Sequence, residues 1–329
     1  MIRRTACLVS RSMDIWRNQA MEKHLMDTLP EDTALLFLWQ SGQAVLLGRG
    51  QSARQDIVPE ALGSAQLARR LSGGGGLYAD EGTVGFTLIV PRSAFDIPRQ
   101  MSILGMALGA FGLQTSASGC DLGVNGVCVG RTAFFKSGSA AWQHGVLLAQ
   151  TDLSQMARLL PGDGQQRYPS ARSLGELCPA ITVDSLQRSL CQAFAHAYGS
   201  EPAWLDERML DGRSIDALAA GFAADGWLCP PEEPVSAALR QRFPWGSATV
   251  GFVISGGVIR QAYLHSDAME AALLERIAPA LIGAPFLISA VTARFDQALE
   301  WLADPRLLQI AQDVCNLISR CIRGDGAED

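Results

Sequence analysis

Four consecutive glycines, Gly73 to Gly76, break an otherwise apolar stretch of chain, RRLSGGGGLYADEGTVGFT, running from Arg69 to Thr87. They follow a strand-like segment that ends in two arginines and precede another alternating apolar run, so they form a loop on the rim of a sheet. A loop without Cβ atoms can enter conformations with positive φ, approach a ligand closely and converge its N–H groups on an anion such as a phosphate. Arg70 supplies a fixed charge, and Ser72, Asp80 and Thr87 place polar groups around the loop. The bland reading is a flexible hairpin or linker. The flanks argue against it, because the run lies between apolar segments rather than between domains.

With 329 residues, 48% hydrophobic and 18% charged, the chain has room for a large core and for two domains. A net charge of −6 gives no reason to expect nucleic acid as a partner. Of 27 basic residues only Lys23 and Lys136 are lysines. The eight cysteines form no CxxC pair and no zinc-type spacing, and no metal site is expected. The apolar stretch before Arg11 is too short for a signal-peptide core, and the longest apolar run, 277–291, is broken by Pro279, Gly283 and Pro285. The expectation is a reduced, cytoplasmic protein that does not span a membrane.

Taken in order, residues 3–10 read as a strand, and Asp14 as the cap of an amphipathic helix that ends near Pro30. Residues 34–51 read as two strands about a Ser41-Gly42 turn, and residues 59–68 as a short helix. Further strands are expected over 84–90, at Asp121, after the Asn125-Gly126 turn, and from Gln143. Helices are expected over 103–111, 153–160 and 183–198. Between Trp227 and Pro234 the sequence contains three prolines and reads as a linker. Beyond it, two strands about Gly256-Gly257 and helical periodicity over 267–282 and 296–322 indicate a small α+β unit. The fold class is α+β: a domain over 1–230 with a mixed, mostly antiparallel sheet flanked by helices, and a small accessory domain over 231–329.

The segments ALLFLWQSGQAVLLGRGQ, RRLSGGGGLYADEGTVGFT, ASGCDLGVNG, QHGVLLAQTDL and RFPWGSATVGF resemble, in order and spacing, the lipoate–protein ligase A family in its long form. The resemblance runs from about Ser12 to the C-terminus. It implies the class II aminoacyl-tRNA and biotinyl synthetase-like architecture and a two-step reaction. Lipoate, or a related acid, attacks the α-phosphate of ATP, with Mg²⁺, to give acyl-AMP. The lysine of a lipoyl carrier domain, from a 2-oxoacid dehydrogenase or a glycine-cleavage H-type protein, then takes the acyl group from this monomeric enzyme. By resemblance, Arg70, the backbone of Gly75, Gly76, Leu77 and Tyr78, and Asp121 would hold the nucleotide, while Ser72, Gly73, Gly74, His144 and Gly145 would line the acyl pocket.

The chain also departs from that pattern. Ala79-Asp80 stands where the family has His-Asp, Thr83 where it has asparagine, and Cys120 where an arginine-asparagine pair precedes the aspartate. The family's catalytic lysine stands two residues before a Ser-Gly-Ser-Ala run. Counted without gaps from His144, that position is Cys128; counted from Ser137 to Ala140, it is Phe135, with Lys136 beside it. Because adjacent strand residues face opposite ways, Lys136 can serve only if a bulge re-aims it. Three functions stay open: a ligase using Lys136 or Arg131 as its cation, a ligase-like binding protein, and an acyltransferase in which Cys128 is the nucleophile and His144 its base.

Overall fold

The computed structural model describes residues 2–51, 53, 56–118, 121–160, 171–229, 235–266 and 271–324. Its internal contacts divide the chain into two compact units, Met1–Pro230 and Pro231–Asp329. In the first unit an eight-stranded sheet is built from β1 (Arg4–Val9), β2 (Thr33–Trp39), β6 (Thr83–Pro91), β7 (Thr115–Ser118), β8 (Asp121–Val124), β9 (Val127–Ser137), β10 (Ala140–Leu148) and β11 (Ala203–Trp204). The order across it is β11-β1-β2-β6-β10-β9-β8-β7. The pairs β1–β11 and β1–β2 are parallel, and the remaining pairs are antiparallel.

Alternation along the central strands sends their side chains to two separate cores. Leu36 and Leu38 of β2 and Phe86 and Leu88 of β6 face one core with the helices α2 (Ile97–Gly109) and α5 (Val183–Tyr198). Leu35, Phe37, Ile89, Trp142 and Val146 face the other with α1 (Ile15–Asp27) and α6 (Gly212–Ala223). Each fully buried Leu, Ile or Phe in these rows contributes about 1.5–3 kcal/mol, which is ample to fix the register. The expected caps are present. The Asp14 side chain accepts from the Arg17 amide, and Thr182 forms a capping box with Ser185.

The segment from residue 34 to residue 51 departs from a simple hairpin. Its second strand, β3 (Ala44–Leu47), leaves the large sheet and forms a separate three-stranded sheet in the order β4-β3-β5. β4 spans Gln66–Arg69 and β5 spans Leu77–Ala79, the two sides of the glycine run. The expected helix over 59–68 is a single 3-10 turn at Pro59–Ala61, because the apolar residues that follow pair in parallel with β3. Here tertiary pairing overrides local propensity. Two short helices, α3 (Leu153–Leu159) and α4 (Leu174–Leu177), follow β10, and α7 (Asp225–Leu228) follows α6.

The second unit holds an antiparallel sheet, β12-β13-β14 (Ala237–Phe243, Gly246–Ser255, Val258–Ser266). Gly256 and Gly257, at φ 61° and 72°, make the tight turn between its last two strands. Three helices, α8 (Ala271–Leu281), α9 (Ile288–Leu299) and α10 (Pro305–Arg323), share one core with this sheet through Phe252, Ile277, Phe295 and Val314. Its first strand is additional to the sequence expectation. Pro230–Pro234 of the expected linker, Cys120, and the first residues of the helix expected from Asp267 lie outside the described residues. No helix among the described residues is long and apolar enough to cross a membrane.

Gly85 of β6 is a packing requirement, since a Cβ there would lie 2.1 Å from the buried Trp39 ring. Gly85→Ala is expected to lower stability by about 1–3 kcal/mol, as overpacking does. Gly221→Ala, on the open side of α6 with nothing within 4 Å, is expected to raise it by up to about 1 kcal/mol. Urea midpoints of the two variants check both signs.

Candidate active site

A narrow crevice of ≈ 10 Å³, room for about one water molecule, opens where α1, the large sheet and the small sheet meet. Its walls are Asn18, Gln19 and Glu22 of α1, Trp39, His144, Gly145 and Val146 of the large sheet, and Leu46, Arg70 and Leu77 at the small one. The geometry follows from strand alternation. Leu46 and Leu77 face this crevice, whereas their neighbours Val45, Leu47 and Tyr78 face a separate core under α3.

The glycine run is shaped from within by Arg70, which is only 3% exposed. Its guanidinium donates to the carbonyls of Leu46 (2.7 Å), Gly73 (3.1 Å) and Gly75 (2.9 Å). Turning the Gly73 carbonyl towards arginine directs the Gly74 N–H, which shares its peptide unit, the other way. Among the described residues, the amides of Gly73, Gly74 and Gly75 donate no hydrogen bond to the protein. Gly74 holds φ at +97°, a conformation that favours glycine. A Cβ on Gly48 would lie 1.9 Å from the Gly74 carbonyl oxygen, so the loop after β3 packs backbone to backbone against the run.

Arg69, equally buried, is committed elsewhere. It donates to the carbonyls of Gly48, Arg49 and Gln51 and to those of Trp227 and Leu228, while the Trp227 indole N–H donates back to the Arg69 carbonyl at 3.0 Å. The loop after β3 and the end of α7 are thereby tied to the strand that leads into the glycines.

Behind the crevice runs a buried polar chain. Ser72 Oγ and His144 Nε2 lie 2.6 Å apart, His144 Nδ1 lies 2.7 Å from Glu22 Oε1, and the Thr87 hydroxyl donates to the same oxygen at 2.6 Å. A carboxylate only accepts, so Nδ1 carries the proton shared with Glu22, and Nε2 pairs with the Ser72 hydroxyl. Sheet register explains the convergence. Phe37, Thr87, His144 and Ala133 lie directly opposite one another on β2, β6, β10 and β9, and α1 crosses over that row. The sequence expectation that His144 acts as base to Cys128 is corrected here, since both ring nitrogens are occupied by Ser72 and Glu22.

The register also locates the alternative cations. β9 pairs with β10 without interruption from Gly130 to Ser137, placing Phe135 opposite Trp142 and Lys136 opposite Ala141. Lys136 therefore lies on the sheet face away from His144, exposed, with its ammonium 4.7 Å from the Phe95 ring centroid. Arg131 is opposite Val146, a wall of the crevice, and is also the register partner of Asp121 on β8. The bulge occurs further along. Leu122 pairs with Gly130 and Gly123 with Cys128, so Val129 is the extra residue and Cys128 returns to the face of Arg131. The Cys128 thiol lies 3.5 Å from the Gly130 carbonyl.

Of the expected site residues, Arg70, Ser72, Leu77, His144 and Gly145 come together at the crevice, and Gly73 to Gly76 form the loop beside it. Tyr78 points away, and burial with Asp80 beside it pushes its hydroxyl pKa up. Sequence reading placed Thr87 only among the polar groups around the loop, and missed Asn18, Gln19 and Glu22. A usable signal was present, because polar residues at 18, 19 and 22 interrupt the buried stripe of α1 formed by Ile15, Met21, Leu25 and Met26. Among the described residues no group of three or more His, Cys, Asp or Glu is placed to hold a metal ion.

Comparison with known structures gives a consistent picture of the fold. The chain superposes on P. falciparum LipL1, solved in complex with lipoate, with a TM-score of 0.83 at 19% identity, over 96% of this chain and 99% of that one. A lipoate-protein ligase A bound with ATP gives 0.59 at 17% identity, over 70% of this chain and 99% of that one. The T. acidophilum bipartite lipoate protein ligase, described with its E2 lipoyl domain, gives 0.60 at 16% identity, over 71% and 100%. Residues 234–302 match the bacterial lipoate protein ligase C-terminus. Residues 14–195 match the lipoyl protein ligase A/B catalytic domain, and the chain belongs to that family.

Proposed function

We propose that the protein activates lipoate or a related acid with ATP and transfers the acyl group to a lysine of a lipoyl carrier domain. The observation that carries this reading is the pairing of a crevice with an adjoining row of amides. Three glycine N–H groups without protein partners stand beside a narrow crevice walled by Trp39, Leu46, Leu77 and Val146. Developing charge on the α-phosphate needs fixed donors in a water-poor setting, and outward-facing amides supply them without reorganisation. The acid's chain occupies the crevice once its walls part to admit it, with its carboxylate at the Arg70 end. LipL1 in complex with lipoate and the ATP-bound ligase, which share this fold, support the same pair of ligands.

The residues present fit Mg²⁺ only as a companion of the nucleotide. With no preformed ligand cluster among the described residues, the ion would arrive on the phosphates of ATP, where it neutralises charge on the departing pyrophosphate. The neutral carrier lysine would then attack the acyl carbonyl held beside the loop, forming the amide as the acyl–phosphate bond breaks, AMP leaves and the amine proton passes to solvent. The lipoyl domain named with the T. acidophilum ligase supports a carrier of that type.

We assign the cation of the reaction to Arg131. Its register position opposite Val146 supports this, as does the placement of Lys136 on the other face over Phe95. Lipoate-dependent ATP–pyrophosphate exchange tests the assignment. Arg131→Ala is expected to lower the exchange rate at least about a hundredfold, the range lost with a single oxyanion-type donor, and Lys136→Ala to leave it within about twofold. Loss only in Lys136→Ala would reverse the assignment. A thiol that neither accepts an acyl group nor carries charge has little to lose by becoming a hydroxyl. Cys128→Ser should therefore retain carrier lipoylation, and a hydroxylamine-labile acyl adduct on Cys128 of the unsubstituted protein would count against the adenylate route.

A further inference from the structure

Two thiols meet on the face of the large sheet opposite the crevice. Cys7 of β1 and Cys191 of α5 belong to the core that also holds Leu36, Leu88 and Phe194, and they are 1% and 8% exposed. They stand 184 positions apart in the chain (191 − 7), and the packing of helix on strand brings their side chains into hydrogen-bond contact. That bond holds the Cys191 thiol below its ordinary pKa and, together with burial, raises that of Cys7. The opposed directions follow if Cys7 keeps its proton and donates it to the Cys191 sulfur. Cys191 also reaches the surface. It lines an open cleft of ≈ 620 Å³ with Arg188, His196, Ser200, Glu201 and Trp204, so a small molecule entering there meets Cys191 before the covered Cys7. Arg188, one turn earlier on α5, brings positive charge to the same cleft, which favours a thiolate. By contrast, burial raises the thiol pKa of Cys315 and of Cys321.

We propose that Cys191 and Cys7 form a reversible disulfide that staples β1 to α5, closed by a hydroperoxide entering the cleft and reopened by a thiol reductant. In the first step the Cys191 thiolate attacks a peroxide oxygen. An S–O bond forms, the O–O bond breaks, and the departing oxygen takes up a proton. In the second, the Cys7 sulfur attacks the sulfenic sulfur of Cys191. The S–S bond forms as the S–O bond breaks, and water leaves with the Cys7 proton. The two thiols give up two electrons and the peroxide accepts them. A small thiol reverses the bond by exchange, attacking the Cys191 sulfur from the cleft. Two sulfurs already in hydrogen-bond contact are near enough to close such a bond by side-chain rotation, and a cross-link spanning so long a loop removes much freedom from the unfolded chain.

Hydrogen peroxide in modest excess over the reduced full chain, followed by non-reducing digestion and mass spectrometry, tests this. The expected product is a peptide pair joining Cys7 to Cys191, lighter by two hydrogens than the separate peptides and lost on treatment with dithiothreitol. The unfolding midpoint of the oxidised chain is expected to rise by at least about 4 °C and to fall back on reduction. In Cys7→Ser the second sulfur is gone, so the sulfenic acid on Cys191 persists and dimedone labels it, whereas Cys191→Ser leaves Cys7 unlabelled. Should either variant fail to fold, the linked peptide in the unsubstituted chain still decides. Oxidation confined to other thiols such as the exposed Cys229, with Cys7 and Cys191 both alkylated by iodoacetamide after unfolding, overturns the proposal. A linked peptide with an unchanged midpoint overturns the staple, and dimedone on Cys7 in place of Cys191 overturns entry through the cleft.

Discussion

Two adjacent guanidinium groups, buried and bonded to main-chain carbonyls, set the shape on which the site depends. Arg70 draws the Gly73 and Gly75 carbonyls inward, and Arg69 draws in those of Gly48, Arg49, Gln51, Trp227 and Leu228. A peptide unit whose oxygen points in one direction presents its N–H in the other, so holding the Gly73 carbonyl on Arg70 turns the Gly74 amide away from the arginine. The charge of Arg70 then acts on an anion through the loop that it organises as well as directly. Breaking one of these buried donor sets would leave carbonyls and charge uncompensated together, at a cost of several kcal/mol.

The crevice itself results from one strand leaving its sheet. If β3 had remained beside β2, Leu46 and Leu77 would pack within the large sheet and no gap would open in front of His144. By pairing with β4 and β5 instead, β3 forms a second wall, and α1 closes the space between the walls. The small sheet remains stable because its reverse face has a core of its own, Val45, Leu47 and Tyr78 packing with Met156 and Leu159 of α3. Thus one alternating segment, Ala44–Leu47, lines the crevice with one face and a core with the other.

Much of this was legible from local pattern. The helix capped by Asp14, the helix started by Thr182, the Asn125-Gly126 turn and the glycine loop each announce themselves within a few residues, because capping, turn chemistry and periodicity are local. What the sequence concealed depends on partners far along the chain. Whether Ala44–Leu47 joins its neighbour in sequence or the distant Gln66–Arg69 is decided by which surface each can bury. The Ser72–His144–Glu22 chain joins three segments, the nearest two 50 residues apart (72 − 22). The polar interruption on α1 was visible, but only the sheet it faces gives those residues a purpose.

The bulge at Val129 shows how a strand can change its chemistry without changing its pairing. In an unbroken β9, residues 128 and 131 would face opposite ways, whereas one extra residue puts both on the face that carries His144. By the gapless count of the resemblance, the family's amine would stand at the position of Cys128, and an amine can gain and lose a proton. Arginine keeps its charge throughout the usable pH range and offers a planar set of donors suited to phosphate. A site that relies on Arg131 therefore stabilises anionic phosphate steadily but has no titratable cation to donate a proton there. Protonation of the leaving group would fall to solvent, and attack by the carrier lysine would depend on that lysine arriving neutral. On the proposed reading, the first half of the reaction would be well supported, and the second half would be the step most sensitive to how the carrier presents its amine.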